Sequence, residues 1–452
     1  MFEDNPKRPE PYEKFGERPV PSWFHDAKLG IFMHWGPYAV PAWAEPAGTV
    51  EFGEDMDTFA FHNPYAEWYY NTSRIAGSPA AEHHHETYHD APYDDFIDQW
   101  KAENFDATAL LALVADSGAR YFVPTTKHHD GVTLWDAPGT GGRNTVARGP
   151  RRDLVAELAD ATRAAGLRFG VYYSGGFDWY FAHSEPIRSM EDVLSKRPVD
   201  QRYSDYAFDQ TLDLIRRFHP DVLWGDIDWP DAGKEPGAKS LVELFEAFYE
   251  ASPEGVTNDR WGITHWDFRT SEYGMGSNIE SLSSKWENTR GIGFSFGYNQ
   301  LEDENTYLSG PDAIKLFVDI VSRGGNLLLN IGPKADGTVP ELQARTLREL
   351  GEWNRTNGEA IFGSSSVDPT IAVGSDAPWT RWTATDHQLH AFVLPNDTRV
   401  PLQVDPTRIN VESARLADGS SANVVLENGE VVAFAPRTGS LNPVRMTFAV
   451  RE

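Results

Sequence analysis

The sequence predicts an α/β protein, with a (β/α)8-like barrel over residues 1–360 and a C-terminal antiparallel β-sandwich over residues 361–452. Amphipathic helices alternate with short apolar strands through most of the chain, which is typical of parallel βα units. The number of such units favours a closed barrel over an open sheet. After about Ser364 the helical periodicity stops, and short strands separated by turn dipeptides indicate an antiparallel sandwich.

The predicted barrel helices share an apolar face at helical spacing, as in Leu110, Leu111 and Val114. In chain order they cover 106–118, 152–166, the region 212–218, the region 241–248 and 313–323. Each leads into a short apolar strand, and these strands begin near 120, 167, 220, 256 and 326. A last helix over 340–358, with Asn357-Gly358 as its stop signal, closes the predicted barrel domain.

Three predicted strands of the sandwich cover 380–385, 388–394 and 431–435. The turn dipeptides are Asn396-Asp397, Asp418-Gly419 and Asn428-Gly429. Such dipeptides favour tight hairpins. No charged cluster of catalytic type lies in this region, so we interpret it as a packing or spacing domain.

The composition limits the class of partner. Forty basic and 68 acidic residues give a net charge of -28, which opposes binding to nucleic acid or to an anionic membrane. No apolar run approaches the roughly 20 residues that span a bilayer, and the first residues lack the apolar core of a signal peptide. We therefore expect a cytoplasmic protein. No cofactor is predicted. The acidic surface is compatible with a monomer or a homo-oligomer.

One apolar strand runs directly into two acids, Asp226 and Asp228, which lie between Trp224 and Trp229. The ends of barrel strands are where such enzymes carry their chemistry, and tryptophan offers a flat apolar face to a sugar ring. Asp226 is thus a candidate carboxylate nucleophile in a carbohydrate pocket. The alternative interpretation is that the acids cap the next helix.

Other strand ends contribute His34, His128, His129, Tyr172 or Tyr173, and Arg260. Together with an acid, these side chains suit the hydrogen bonding of several sugar hydroxyls. Three histidines could instead hold zinc in a metal-dependent hydrolase. We favour sugar contact, because the side chains of adjacent residues on an extended chain diverge.

Glycoside hydrolysis needs a second carboxyl group, and the candidates are Asp228, Asp259, Glu272 and Glu287. Spacing does not choose among them. Glu272 lies in what we interpret as a polar loop beside the barrel mouth, whereas Glu287 lies at what we interpret as a helix start.

Four motifs, in this order along the chain, resemble glycoside hydrolase family 29, the α-L-fucosidases. They are WFHDAKLGIFMHWGP at 23–37, TKHHDG at 126–131, LWGD at 223–226 and WENTRGIGFSFGYN at 286–299. The resemblance implies a retaining exo-α-L-fucosidase that forms a covalent fucosyl-enzyme and acts on a fucosylated oligosaccharide or glycoconjugate.

Position by position, the resemblance implies that Asp226 is the nucleophile. It implies that Glu272, which follows NDRW at 258–261, is the acid/base of the bacterial branch of the family. The implied fucose contacts are His34, Glu67, Trp68, His128, His129, Tyr173, Trp224 and Arg260, with Phe296 as a wall for the C6 methyl group. Tyr172 is the alternative to Tyr173, and Asp228 receives no role.

Two other functions are weighed against this one. A fucose-binding lectin on the same fold would be expected to lose one of the acids, and both are present. The metal-dependent hydrolase would use His34, His128 and His129. The segment EHHHE at 82–86 is interpreted as a solvated loop rather than a metal site, and no metal is expected.

Overall fold

The structure is a computed structural model that describes residues 7–46, 56–183, 185–274, 284–395, 397–436 and 439–451. Asn396, which belongs to one of the turn dipeptides above, lies outside these residues. The strands are β1 Leu29–Met33, β2 Tyr121–Lys127, β3 Arg168–Ser174, β4 Val222–Asp226, β5 Val256–Thr257, β6 Arg269–Glu272, β7 Trp286–Gly291, β8 Asn326–Ile331, β9 Ser375–Asp376, β10 Trp379–Thr385, β11 Gln388–Val393, β12 Val400–Leu402, β13 Ile409–Leu416, β14 Asn423–Glu427, β15 Glu430–Phe434 and β16 Val444–Val450.

The α-helices in the described part of the chain surround the first eight strands. They are α1 Glu13–Gly16, α2 Ser22–Ala27, α3 Met56–Phe61, α4 Tyr69–Thr72, α5 Pro79–Tyr88, α6 Asp94–Gln99, α7 Ala107–Asp116, α8 Leu154–Ala164, α9 Met190–Ser195, α10 Gln201–Phe218, α11 Leu241–Ala251, α12 Gly310–Ser322 and α13 Glu341–Asn357. Short 3-10 helices cover Glu10–Tyr12, Pro37–Ala39, Ala66–Trp68, Asp231–Gly233 and Gly358–Ala360. None of these helices has both the length and the apolar character needed to cross a bilayer.

The main barrel helices begin where a polar side chain replaces the missing backbone acceptor. Asp106, Asp153 and Asp200 accept backbone N–H groups at the starts of α7, α8 and α10. Ser240 and Ser309 do the same for α11 and α12. Such caps stabilise a helix start by about 1 kcal/mol. These capping residues determine where each of these helices begins.

The first eight strands form one parallel sheet in the order β5-β4-β3-β2-β1-β8-β7-β6. The two edge strands, β5 and β6, are joined by irregular contacts rather than by a regular ladder. Asp259 Oδ1 accepts the backbone N–H of Thr270 at 3.1 Å and its hydroxyl at 2.7 Å. The N–H of Asp267 donates to the Thr257 carbonyl at 2.9 Å. These contacts bring the strand ends into one ring, and the predicted barrel-like fold is confirmed.

Three local predictions of secondary structure are wrong. The supposed polar loop containing Glu272 is strand β6, and the supposed helix start at Glu287 is strand β7. Both strands carry polar residues whose partners come from distant parts of the chain, so apolar periodicity does not reveal them. The supposed loop at 82–86 lies in helix α5, which Ser78 caps by accepting the Ala81 N–H at 3.1 Å.

The C-terminal strands form two antiparallel sheets, a five-stranded one in the order β13-β16-β11-β10-β9 and a three-stranded one in the order β12-β15-β14. The predicted sandwich is confirmed. Its apolar cluster includes Trp382, Val431 and Phe448. Trp379 and Phe392 pack instead into the same cluster as Trp353 of α13. The division at residue 360 stays a prediction.

Candidate active site

A pocket of about 480 Å³, part of it open to solvent, lies at the carboxyl ends of the barrel strands. Its walls are aromatic and its floor is charged. The lining residues are Phe32, His34, Tyr65, Glu67, Trp68, His128, His129, Tyr172, Trp224, Asp226, Ile227, Arg260, Glu272, Thr289 and Phe296. All the site residues predicted from the sequence are therefore at this pocket, with the exception of Tyr173.

Asp226 is the last residue of β4 and is largely buried. Its Oδ1 accepts Arg260 Nη1 at 3.0 Å and the backbone N–H of Ile227 at 3.0 Å. Its Oδ2 accepts the Tyr172 hydroxyl at 2.7 Å. Burial acts to raise the pKa of Asp226, but the Arg260 charge, His129 and the Tyr172 hydrogen bond together hold this pKa below its usual value. The carboxylate is therefore charged and fixed in direction.

Glu272 is the last residue of β6, so a strand end and not a loop presents it to the pocket. Its Oε2 accepts Arg260 Nη2 at 2.8 Å, and its Oε1 accepts the Tyr65 hydroxyl at 3.2 Å. Arg260 thus bridges Glu272 and Asp226 through the two Nη atoms of one planar guanidinium, which limits the separation of the two carboxyl groups. Arg260 also lies 4.8 Å from the Trp224 ring centre.

The three histidines lie together at the pocket and are buried. Their rings are close, with 5.5 Å between the centres of His34 and His128 and 4.0 Å between those of His128 and His129. His34 Nδ1 is 2.7 Å from Asn330 Oδ1, and His129 Nδ1 is 2.7 Å from Ser174 Oγ. Burial lowers the pKa of His34 to about 4 and that of His129 to about 3. The imidazoles are therefore neutral at ordinary pH.

The contacts of the histidines also concern the alternative that they bind a metal ion. Nδ1 of His34 and Nδ1 of His129 are both engaged by neighbouring polar groups. Within the described ranges, no group of three or more His, Cys, Asp or Glu side chains is arranged to hold a metal ion. The described contacts of His34 and His129 are with neighbouring polar side chains.

Glu67 comes from the 3-10 turn Ala66–Trp68 and is buried. Its Oε2 accepts the Gly297 N–H at 2.7 Å and the Ser295 hydroxyl at 3.1 Å, which ties it to the segment that carries Phe296. Burial raises the pKa of Glu67 to about 7. Phe296 lies 4.9 Å, ring centre to ring centre, from His34 and forms an apolar wall beside these polar groups.

The structure corrects the choice of tyrosine. Tyr172 points into the barrel and bonds to Asp226, whereas the Tyr173 hydroxyl donates to Gln210 of α10 at 2.9 Å. Successive side chains of a strand point to opposite faces, so only one of the two can reach the pocket. Pairing of Tyr172 with Trp224 across β3 and β4 puts these two rings on the same face. The register between β3 and β4 identifies Tyr172 as the pocket residue, and the sequence alone did not supply this register.

Trp224 offers its ring to the pocket rather than its N–H. The indole N–H donates to Glu287 Oε1 at 3.1 Å, below the pocket. Glu287 is fully buried and also accepts the Tyr121 hydroxyl. Burial raises the pKa of Glu287 to about 7. Glu287 is therefore part of the barrel interior under Trp224, and it does not line the pocket.

The remaining candidate acids also lie away from the pocket lining. Asp228 binds Lys234 and Arg197 outside the pocket, and Asp259 joins β5 to β6. Sequence reasoning missed Phe32, Tyr65, Ile227 and Thr289 as pocket residues. Tyr65 and Ile227 adjoin predicted site segments, so proximity in the chain could have suggested them.

Comparison with known proteins gives a family match over most of the chain. The model of the alpha-L-fucosidase family matches residues 3–359. The alpha-L-fucosidase of Dictyostelium discoideum is 31% identical over 418 residues, which cover 90% of this chain and 85% of that protein.

Solved structures agree with this match. The crystal structure of Thermotoga maritima alpha-fucosidase is 42% identical, covers 98% of this chain and 100% of its own, and superposes with a TM-score of 0.86. A second crystal structure of the Thermotoga maritima protein is a complex with fucose, with the same identity, coverage and TM-score.

Proposed function

The chain belongs to the α-L-fucosidase family and is a glycoside hydrolase of that type, and from this premise we propose a retaining double-displacement mechanism. In this proposal the enzyme removes terminal α-L-fucosyl residues from fucosylated glycans. Asp226 acts as the nucleophile and Glu272 acts as the acid and then the base.

The observation that carries the proposal is the bridge formed by Arg260 between the two carboxylates. One guanidinium contacts Asp226 Oδ1 at 3.0 Å and Glu272 Oε2 at 2.8 Å. Retaining glycosidases place their two carboxyl groups only about 5 to 5.5 Å apart, whereas inverting enzymes leave about 6.5 to 9.5 Å for a water molecule. A pair of carboxylates bound to the same guanidinium favours the shorter spacing.

The reaction then runs in two steps. Asp226 Oδ attacks the anomeric carbon and forms a fucosyl ester, while Glu272, having first taken up a proton from solvent, transfers that proton to the departing glycosidic oxygen. In the second step Glu272 removes a proton from water, and the resulting hydroxide attacks the anomeric carbon and releases Asp226. Two inversions at one carbon leave the configuration of fucose unchanged.

The pocket walls support recognition of fucose. The three histidines are neutral, so each can offer a hydrogen-bond donor or acceptor to a hydroxyl group. Glu67 and Arg260 add polar contacts. Phe296 and the Trp224 ring provide apolar surface, and in this proposal Phe296 forms the wall against which the C6 methyl group of fucose packs.

Azide rescue of Asp226→Gly tests the nucleophile. Without the carboxylate, turnover of an aryl α-L-fucoside should fall by several orders of magnitude, and added azide should restore it by attacking the anomeric carbon in place of Asp226. The product should be the fucosyl azide of inverted configuration, identified by NMR.

Asp231→Asn is the matched control, because it removes a half-exposed acid from the same loop and should keep normal activity. Wild-type rates in Asp226→Gly without azide, or rescue that gives only the retained product, would overturn the assignment of Asp226.

A further inference from the structure

The two residues that follow Asp226 have an unusual backbone conformation. Ile227 has φ of 69° and Asp228 has φ of 149°. Positive φ is uncommon for residues other than glycine and is a genuine outlier for a β-branched residue such as Ile227. A strained conformation of this kind persists only where the surrounding structure enforces it, and such strain concentrates at functional sites.

Asp228 holds this turn in place through a hydrogen bond and ion pairs. Its Oδ1 accepts the backbone N–H of Trp229 at 2.7 Å. Lys234 Nζ lies 2.8 Å from Oδ1 and 2.9 Å from Oδ2, and Arg197 Nη1 lies 2.9 Å from Oδ2. Arg197 Nη1 also donates to the Trp229 carbonyl at 3.2 Å. The Asp228 carboxylate is therefore held by two cations and by the backbone of the next residue.

Two glycines, Gly176 and Gly262, lie close to the turn. A Cβ atom on Gly176 would lie 2.8 Å from the Ile227 Cβ, and one on Gly262 would lie 2.3 Å from Asp228 Oδ1. The Gly176 N–H donates to the Asp226 carbonyl at 3.2 Å. The segments that carry Gly176 and Gly262 therefore approach Ile227 and Asp228 closely.

The turn acts directly on the nucleophile. The Ile227 N–H donates to Asp226 Oδ1 at 3.0 Å, the same oxygen that Arg260 binds. The Ile227 side chain lines the pocket beside Asp226. If the Asp226–Ile227 peptide plane rotated, with coupled changes in ψ of Asp226 and φ of Ile227, the Ile227 N–H would turn away from Asp226 Oδ1, and Asp226 would lose one of its two Oδ1 partners.

We propose that Asp228 is a positioning residue, which holds the strained Ile227–Asp228 turn so that the Ile227 N–H fixes the carboxylate of Asp226 for attack. The role rests on the proposed function of Asp226 as nucleophile. Asp228 itself is not among the residues that line the pocket. It acts through the backbone that joins it to Asp226.

A competing explanation is that Asp228 only stabilises the loop. A double-mutant cycle separates the two. It compares wild type, Asp228→Ala, Asp226→Gly and Asp226→Gly/Asp228→Ala on an aryl α-L-fucoside, with azide present for the two variants that lack the nucleophile. Azide diffuses into the site and does not depend on the position of Asp226, so a positioning role should vanish in that background.

The measured quantity is kcat. Asp228→Ala should lower the wild-type value by about 10- to 100-fold, the loss expected when a reacting group is displaced by about 1 Å. The azide-rescued rate should be nearly equal in Asp226→Gly and in the double variant. Asp231→Asn is the control, because Asp231 binds the same Lys234 and Arg197 at 2.8 and 2.6 Å but is not part of the turn. It should keep kcat close to wild type.

Three outcomes would overturn the inference. An equal fall of the azide-rescued rate in the double variant would show that Asp228 supports the pocket as a whole, and an unchanged kcat in Asp228→Ala would show that it supports nothing in the reaction. Absence of rescue in Asp226→Gly would refute the nucleophile and remove the positioning role with it.

Should Asp228→Ala fail to fold, Asp228→Asn serves instead. This substitution keeps an acceptor for the Trp229 N–H and removes only the charge that Lys234 and Arg197 bind. The expected loss of kcat is smaller but again absent with azide, and a loss that persists with azide would contradict the positioning role.

Discussion

At the scale of single residues, the site depends on how Asp226 is held. Its carboxylate accepts hydrogen bonds from the Arg260 guanidinium, the Ile227 N–H and the Tyr172 hydroxyl, and His129 Nε2 lies 3.8 Å from Oδ2. Hydrogen bonds to the charged form favour that form. Burial would otherwise raise the pKa of this carboxyl, and the partners reverse that tendency. The result is a charged Asp226 carboxylate at the pocket.

The two adjacent tyrosines give a matched pair of variants. Tyr172→Phe removes a hydrogen bond to a charged group, worth about 1.5 to 3 kcal/mol, and should lower kcat/KM by roughly 10- to 100-fold. Because that bond lowers the pKa of Asp226, its loss raises this pKa, and the acidic limb of the kcat/KM profile should move to higher pH.

Tyr173→Phe is the control, since its hydroxyl donates to Gln210 outside the pocket. It should keep the wild-type pH profile and lose only about 1 kcal/mol of unfolding free energy. The pH profiles of kcat/KM, measured for both variants with an aryl α-L-fucoside, show which tyrosine acts on Asp226. A larger loss of activity in Tyr173→Phe than in Tyr172→Phe would contradict the assignment.

At the scale of secondary structure, the strands that apolar periodicity predicts are those whose side chains pack against helices. Strands β6 and β7 differ, since Thr270, Glu287 and Asn288 are buried polar residues of the barrel. Thr270 bonds to Asp259, and Asn288 Nδ2 donates to Ser271 Oγ at 2.8 Å. Buried polar groups need such partners, and here the partners lie 11 and 17 residues away in the sequence, beyond the reach of a local periodic pattern.

Strand β11 carries a pH-dependent contribution to stability. His390 is buried between Thr385 and Thr447, at 3.0 and 2.9 Å, and burial, with the nearby Arg445 charge, lowers its pKa to about 4. The unfolded value is about 6.5. The unfolded chain therefore binds more protons than the folded one between these values, and stability is lost as the pH falls from about 6.5 to about 4.

His390→Gln removes this titration and keeps two polar contacts. Relative to wild type, the variant should therefore gain stability as the pH falls from 7 to 4, by up to about 3 kcal/mol. Urea unfolding at pH 7, 5.5 and 4 measures the difference, and the other titrating groups cancel because both proteins contain them. A difference that does not change with pH would contradict a neutral buried His390.

At the scale of the whole molecule, the C-terminal sheets are joined to the barrel by a buried ion pair as well as by apolar contacts. Arg381 of β10 donates to Asp319 of α12, and both side chains are nearly inaccessible to solvent. Arg381 also binds Asp376 at 2.7 Å and the Ser375 carbonyl at 2.8 Å. Trp353 Nε1 donates to the Pro443 carbonyl at 3.1 Å across the same boundary. The two regions therefore stabilise each other.

Removal of Arg381 tests this connection. Arg381→Ala leaves the buried Asp319 carboxylate with Arg323, 2.6 Å from Oδ2, as its remaining arginine. The substitution should cost about 3 kcal/mol of unfolding free energy. Arg399→Ala is the matched control, since its pair with Glu427 is about half exposed on both sides and should cost less than about 1 kcal/mol. Urea unfolding measures the loss of unfolding free energy in each variant. Equal losses would show that the buried ion pair does not stabilise the contact between the barrel and the C-terminal sheets.

The sequence by itself determined the barrel and the sandwich, and it located Asp226 at a strand end. It could do so because apolar periodicity and helix caps are local signals, and because the carboxyl ends of parallel strands always meet at one mouth. The family motifs named Glu272 where spacing had left four acids open. Every predicted site residue except Tyr173 lines the pocket, while the roles of these residues stay predictions.

Only the tertiary structure decided which of Tyr172 and Tyr173 faces the pocket. The register between β3 and β4 determines which face of the sheet each side chain occupies. It placed Glu272 and Glu287 on strands whose polar side chains find partners across the barrel. It also determined the contacts of Asp228, since Arg197 and the glycines around the turn come from separate segments of the chain. Contacts between segments distant in the chain leave no local pattern, and for that reason they are decided only when the chain folds.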